Sequence, residues 1–243
     1  MYNTRARDDV LQVRTPQTEW LTTGWGSGLV NSDAAYAISV PTGWDRTDLD
    51  TYVEERRNAA GFEQSGPALL TGVAMEHARG AQLESVTVIA TAGLSNPAML
   101  PMDPSGAAEG QVETSTDTVG TVNLLIWTEA RLDLAPLANL LSVAVEAKTA
   151  TLLSAAGVPG TTTDAVLVGT KEGAEPIRFT GNGTPIGQAT RACVRDAVQA
   201  SLASRYADSE VPGGIDDAEY GVVTNMKGER FEIPQQIAPT NNE

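Results

Sequence analysis

Leu134-Ala-Pro-Leu-Ala-Asn-Leu-Leu-Ser-Val-Ala-Val-Glu-Ala-Lys-Thr-Ala-Thr-Leu-Leu-Ser-Ala155 is the longest uninterrupted helical pattern in the chain. Apolar residues occupy nearly every direction around it, and Gly157 and Pro159 end it. A helix apolar all round is expected to be buried. Strand-like runs flank it, Val119–Glu129 before and Ala165–Gly169 after, the latter entered through the turn Gly160-Thr-Thr-Thr-Asp164. One central helix between two buried strands implies a layered domain built around it.

Working outward, Val10–Arg14, Trp20–Thr23 and Ala34–Val40 read as strands broken by the glycine-rich turn Gly24-Trp-Gly-Ser-Gly28. A helix follows, capped by Asp45 or Thr47, running to Asn58 and stopped by Gly61. Leu69–Met75 and Ser85–Ala92 read as buried strands, and Ile177–Thr180 as a further short one. Pro97–Thr118 is a long loop rich in Pro, Gly, Ser, Thr and acid. A last amphipathic helix spans Pro185 to Tyr206, with proline in its first turn. Gly221–Thr224 and Arg230–Ile233 offer a weak hairpin. Strands come in runs rather than in strict βαβ alternation. The fold class is therefore α+β: a single domain with a mixed or mainly antiparallel sheet packed with three to four helices. The domain is placed at 1–207, and 208–243 is expected to be a loosely ordered acidic extension.

The 243 residues carry 31 acidic and 16 basic side chains, a formal charge of −15. Lysine occurs only at Lys148, Lys171 and Lys227. Such a surface repels nucleic acid and anionic membranes, and no basic patch offsets it. Excess carboxylate with little lysine and many small apolar residues is the composition expected of a protein kept soluble in concentrated salt, where screening removes self-repulsion. No segment approaches the roughly 20 apolar residues that span a bilayer, so a cytoplasmic protein is expected, and homo-oligomers are compatible with the sequence.

One cysteine, Cys193, permits no intrachain disulfide. Its place in a helical pattern reads as a buried, inert thiol. The sole histidine, His77, reads as a solvated strand-end residue. With so few imidazole and thiolate groups no metal site is expected, and nucleophile elbows and phosphate loops are absent.

Lys148 is the most informative side chain. At 100° per residue it shares a face with Leu137, Leu141, Ala144, Leu152 and Ala155. An ammonium ion in that stripe must meet a carboxylate, line a polar cleft or reach back to the surface. Glu146 projects from nearly the opposite face and cannot pair with it directly. Asp164 closes a turn of three threonines, where a carboxylate can organise loop amides, pair with Lys148 or activate a threonine hydroxyl. Gly120-Thr121-Val122-Asn123 and Thr91-Ala-Gly-Leu-Ser-Asn96 bring a glycine, hydroxyls and an amide to strand ends, chemistry suited to holding an amide or an oxyanion.

Taken in order, Thr91–Asn96, Gly120–Asn123, Glu146-Ala-Lys-Thr-Ala-Thr-Leu152, Gly160-Thr-Thr-Thr-Asp-Ala165 and Phe179-Thr-Gly-Asn-Gly-Thr-Pro-Ile-Gly187 resemble the adenosylcobinamide amidohydrolase family, from about Leu21 to Tyr206. The resemblance implies hydrolysis of the amide that joins aminopropanol to the corrin ring, giving adenosylcobyric acid and 1-amino-2-propanol for cobamide salvage in archaea. The corrinoid would be substrate, with no cofactor. Lys148, Asp164 and Glu146 are then the candidate catalytic groups. Thr91, Asn96, Thr121, Asn123, Thr161, Thr163 and Thr180 are the candidate substrate-binding groups.

Two stretches depart from the family pattern. Asn182 or Gly183 stands where the pattern has a histidine, and Pro159 and Thr162 alter the threonine-rich turn. Two other readings therefore stand beside hydrolysis: a silent corrinoid-binding protein, and an amidase that cuts its own chain to expose a Thr or Ser. A melting temperature that rises from dilute buffer into molar KCl is the outcome the composition predicts. A flat or falling curve contradicts the salt-adapted reading.

Overall fold

The computed structural model describes residues 2–26, 28–41, 43–103, 120–173, 175–218 and 220–233. Most of the expected Pro97–Thr118 loop lies outside these residues.

Five strands lead the chain: β1 (Asn3–Arg7), β2 (Val10–Arg14), β3 (Thr18–Thr22), β4 (Leu29–Asn31) and β5 (Ala34–Ser39). Then come α1 (Leu49–Ala59), β6 (Ala68–Thr71), β7 (Arg79–Leu83), β8 (Val86–Ala92) and the two-residue β9 (Ala98–Met99). The rest is β10 (Val122–Thr128), α2 (Leu134–Ala156), β11 (Val166–Lys171), α3 (Pro185–Arg205) and β12 (Val222–Val223).

Two large sheets form rather than one, beside a two-stranded pair of β9 and β12. The first has the order β1-β2-β5-β6 and the second β4-β3-β11-β10-β8-β7. Each is antiparallel apart from one parallel pair, β5 with β6 and β10 with β11. The period-2 alternation of β10 explains how they stack: Leu124 and Ile126 face one core, Leu125 and Trp127 the other. Leu124 and Ile126 join Val88, Val168, Leu137 and Val194 in the core under α2 and α3. Leu125 and Trp127 join Val13, Ala35 and Leu69 between the sheets. Tyr36, Ile38 and Val10 on the far face of the first sheet pack under Tyr52 of α1. The α+β domain thus has four layers, helix–sheet–sheet–helices, which cover the central strands of each sheet and leave the edge strands β1, β4 and β7 largely exposed.

The helix expected over 134–155 is present as α2, ending at left-handed Gly157, but it buries only one face. Leu137, Leu140, Val143, Ala144, Lys148 and Leu152 are inside, while Val145, Leu153 and several alanines face outward. Small side chains made the helix apolar all round without requiring burial all round. Two short elements also differ from expectation. Ile177 makes only an isolated bridge to Leu132. Val222–Val223 pairs in parallel with Ala98–Met99 instead of forming a hairpin with 230–233.

Asn123 ties three strands together. Its Nδ2 donates to the Leu70 carbonyl in the other sheet (2.7 Å), and its Oδ1 accepts from the Ala165 amide (3.0 Å). Replacing it with leucine strands two partly buried backbone groups. The expected loss is about 1–3 kcal/mol for each, read as a drop in denaturant midpoint at unchanged m-value.

Candidate active site

β10 and β11 start at the end of the second sheet where antiparallel β8 finishes. The loops gathered there carry Thr91–Asn96, Gly120–Asn123 and Gly160–Asp164. Thr71, at the end of β6, reaches the same place from the first sheet, its hydroxyl bonded to that of Thr121 (2.6 Å).

Asp164 is the hub of this end. Its Oδ1 accepts from the Val122 amide (2.8 Å) and the Thr161 hydroxyl (2.5 Å). Its Oδ2 accepts from the Thr161 amide (3.1 Å) and from Lys148 Nζ, with which it forms a buried ion pair. The side chains of Lys148 and Asp164 are only 6% and 11% exposed, so neither oxygen relies on bulk water for its partners. Helical spacing sends Lys148 inward from α2, and Gly160 makes room for it. A Cβ on Gly160 would lie 2.7 Å from Asp164 Oδ2 and 3.6 Å from Lys148 Nζ.

The threonine turn is joined to the end of β8. Ala98 donates to the Gly160 carbonyl (2.9 Å), Thr162 donates to the Asn96 carbonyl (3.2 Å), and Asn96 Nδ2 donates to the Thr162 hydroxyl (2.6 Å). Asn96 is 4% exposed, and its Oδ1 has no partner among the described residues. A buried oxygen that accepts nothing is unusual, because desolvating it without a donor costs free energy. That oxygen lies against Gly120, whose Cβ, if present, would be 2.7 Å from it. Thr163 sits on the exposed side of the turn, 3.4 Å from the Gly120 carbonyl.

The structure therefore brings together Lys148, Asp164, Thr161, Thr163 and Asn96, with Thr121 and Asn123 beside them. Asn123 and Thr121 are occupied in holding the sheets together. Thr91 lies opposite Asn123 across β8 and β10, buried, with its hydroxyl unpartnered among the described residues.

Glu146 and Thr180 lie elsewhere. Glu146 is half exposed on the outer side of α2, where Oε2 accepts from Asn182 Nδ2 (2.7 Å) and stands 3.9 Å from Arg191. Asn182, one of the two positions, with Gly183, where the family pattern suggested histidine, thus belongs to that separate pair. Thr180 is fully buried and donates to the Pro136 carbonyl (2.7 Å), anchoring the loop before α3 to the first turn of α2. Thr184 caps α3 by accepting from the Gly187 amide (3.1 Å).

Sequence reasoning passed over Thr71 and read Gly160 only as the start of the threonine turn. The signal for Gly160 was its place directly before a threonine-rich turn that ends in a carboxylate. His77 is half-buried rather than solvated, with Nδ1 3.1 Å from Ser204 Oγ on α3. Cys193 is buried as expected, and burial pushes its thiol pKa up, away from a reactive thiolate. An open cavity of about 660 Å³ lined by Gln17, Arg131, Asp133 and Lys171 occupies the other end of β11. Its ion pair, Arg131–Asp133, is solvent-exposed, so it lacks the desolvated groups of the Asp164 end.

The model of the family described as adenosylcobinamide amidohydrolase matches residues 1–210. The chain belongs to that family. A relative from Halobacterium salinarum named adenosylcobinamide amidohydrolase is 48% identical over 95% of this chain and 99% of its own length. One of the same name from Methanosarcina mazei is 26% identical over 77% of this chain and 91% of its own length. Membership by this chain thus rests on a match that spans both β8–β11 and the helix that supplies Lys148. Among the described residues no helix is long and apolar enough to cross a membrane.

Removing either member of the buried pair leaves the other charge uncompensated. Asp164→Leu or Lys148→Met is expected to lose about 3–5 kcal/mol of stability, whereas the two changes together lose less than the sum. Chemical denaturation of the three variants measures the difference. Additive losses would mean the pair does not act as a unit.

Proposed function

We propose that this member of the family hydrolyses the amide between aminopropanol and the corrin ring of adenosylcobinamide at the Lys148–Asp164 end of the second sheet, in the cytoplasm. The products are adenosylcobyric acid and 1-amino-2-propanol, and the corrinoid is substrate rather than cofactor. The observation that carries the reading is the clamp on Asp164, which holds a desolvated ammonium ion at one place and in one orientation.

An amide offers an acceptor, its carbonyl oxygen, and a donor, its N–H. The site offers the reverse. Lys148 can donate beyond its bond to Asp164, since an ammonium carries three hydrogens. Asn96 Oδ1 is a buried acceptor with no partner among the described residues. In our scheme Lys148 Nζ donates to the carbonyl oxygen and Asn96 Oδ1 accepts from the N–H. When water adds to the carbonyl carbon, negative charge gathers on the oxygen facing the ammonium, in surroundings where that interaction is far stronger than in water. The tetrahedral adduct breaks its carbon–nitrogen bond, the departing nitrogen takes a proton from Lys148, and the attacking water returns one to Lys148. Asp164, with both oxygens engaged, orients Lys148 and Thr161 instead of moving protons. Thr163 lies at the exposed side, where it can hold polar side chains of the ring. Glu146, paired with Asn182, carries no proton in this scheme.

Incubation with adenosylcobinamide in molar KCl is expected to yield adenosylcobyric acid. Lys148→Met is expected to lower kcat by about 10²–10³, the loss typical of one oxyanion donor. Tight binding with the amide intact would instead make the protein a corrinoid carrier.

A further inference from the structure

The family match ends at residue 210, yet the chain beyond it reaches the proposed site. Tyr220 donates to the Ser95 carbonyl (3.0 Å), Val222 to that of Pro97 (2.9 Å) and Thr224 to that of Met99 (2.9 Å). The other edge of the same segment bonds to the threonine turn through Ala98, Thr162 and the Pro97–Thr161 bridge. Residues 95–99 are therefore a middle strand, held on one side by the turn that contains Asp164 and on the other by the C-terminal segment.

A pair of two-residue strands is too short to persist by itself, so each edge constrains the middle segment only while its neighbour is in place. Gly221 allows the approach. Its φ is +154°, and a Cβ there would stand 2.7 Å from the Pro97 carbonyl oxygen and 3.3 Å from Ile215. A side chain at 221 would have to push the two strands apart.

We infer that Tyr220–Thr224 is a positioning strap that fixes Asn96, so that its free Oδ1 meets the substrate amide. This rests on the proposed role of Asn96. A misplacement of about 1 Å at a reacting group can lower rate by about 10², and the strap opposes such a displacement from the only edge of 95–99 that the threonine turn leaves open among the described residues.

The test is a cycle of kcat and KM for adenosylcobinamide hydrolysis in molar KCl, with Asn96→Ala, Gly221→Ala, a chain ending at residue 210, and each combined with Asn96→Ala. Gly221→Ala and the shortened chain are expected to retain cooperative melting and to lose at least ~10-fold in kcat/KM. Adding Asn96→Ala to either should cost nothing further, because the strap acts through that residue. Full activity in Gly221→Ala, or losses that multiply, overturns the strap while leaving the amide-holding role standing. Full activity in Asn96→Ala alone overturns that role and the strap with it. If the shortened chain does not fold, the Gly221→Ala arm decides the matter.

Discussion

A carboxylate buried beside an ammonium must find donors for both of its oxygens, and Asp164 finds them in three places. Val122 at the start of β10, Lys148 on α2 and the Thr161 turn before β11 all converge on it. Pulling any one away exposes the others to an unpaired buried charge, which is why an arrangement of this kind holds its geometry. The rest of the site follows from that constraint. Gly160 is small because the ion pair occupies the space beside it. The threonine turn is tight because its own amide and hydroxyl are committed to the carboxylate.

The layers explain how a polar hub can sit at the end of a core made from small side chains. β10 is buried along its whole length, so its first residues cannot rely on solvent for hydrogen bonds and instead use Asp164, Thr71 and the Leu70 carbonyl. Asn123 and Thr121, which a reader of sequence assigns to substrate, are consumed by this task. Their amide and hydroxyl chemistry is the same whether the partner is a ligand or a neighbouring strand. Here the partners come from the first sheet, whose β6 carries Leu70 and Thr71 and which is invisible as a separate layer in the pattern of elements.

Much of the fold was legible because hydrophobic periodicity reports burial. β5, β8, β10, α2 and α3 were readable to within a few residues. β1 and β7 were not: Asn-Thr-Arg-Ala-Arg and Arg-Gly-Ala-Gln-Leu are exposed edge strands that show no clear alternation. The site was legible where burial conflicts with charge, since Lys148 in an apolar stripe demanded a partner. Glu146, two residues from Lys148 in sequence, points around the helix to Asn182, as that offset requires. The pairing of β12 with β9 was hidden because two-residue strands carry no periodic signal. The acidic composition, by contrast, agrees with the origin of the Halobacterium salinarum relative.

Two polar clusters flank α2, and the proposed chemistry lies at Lys148 rather than at Glu146. A crystal structure of the chain with adenosylcobyric acid bound separates them. The carboxyl group left by hydrolysis is expected within hydrogen-bonding distance, about 3 Å, of Lys148 Nζ, with Asn96 beside the vacated amine position. A carboxyl group seated instead against Glu146, Asn182 and Arg191 would contradict it.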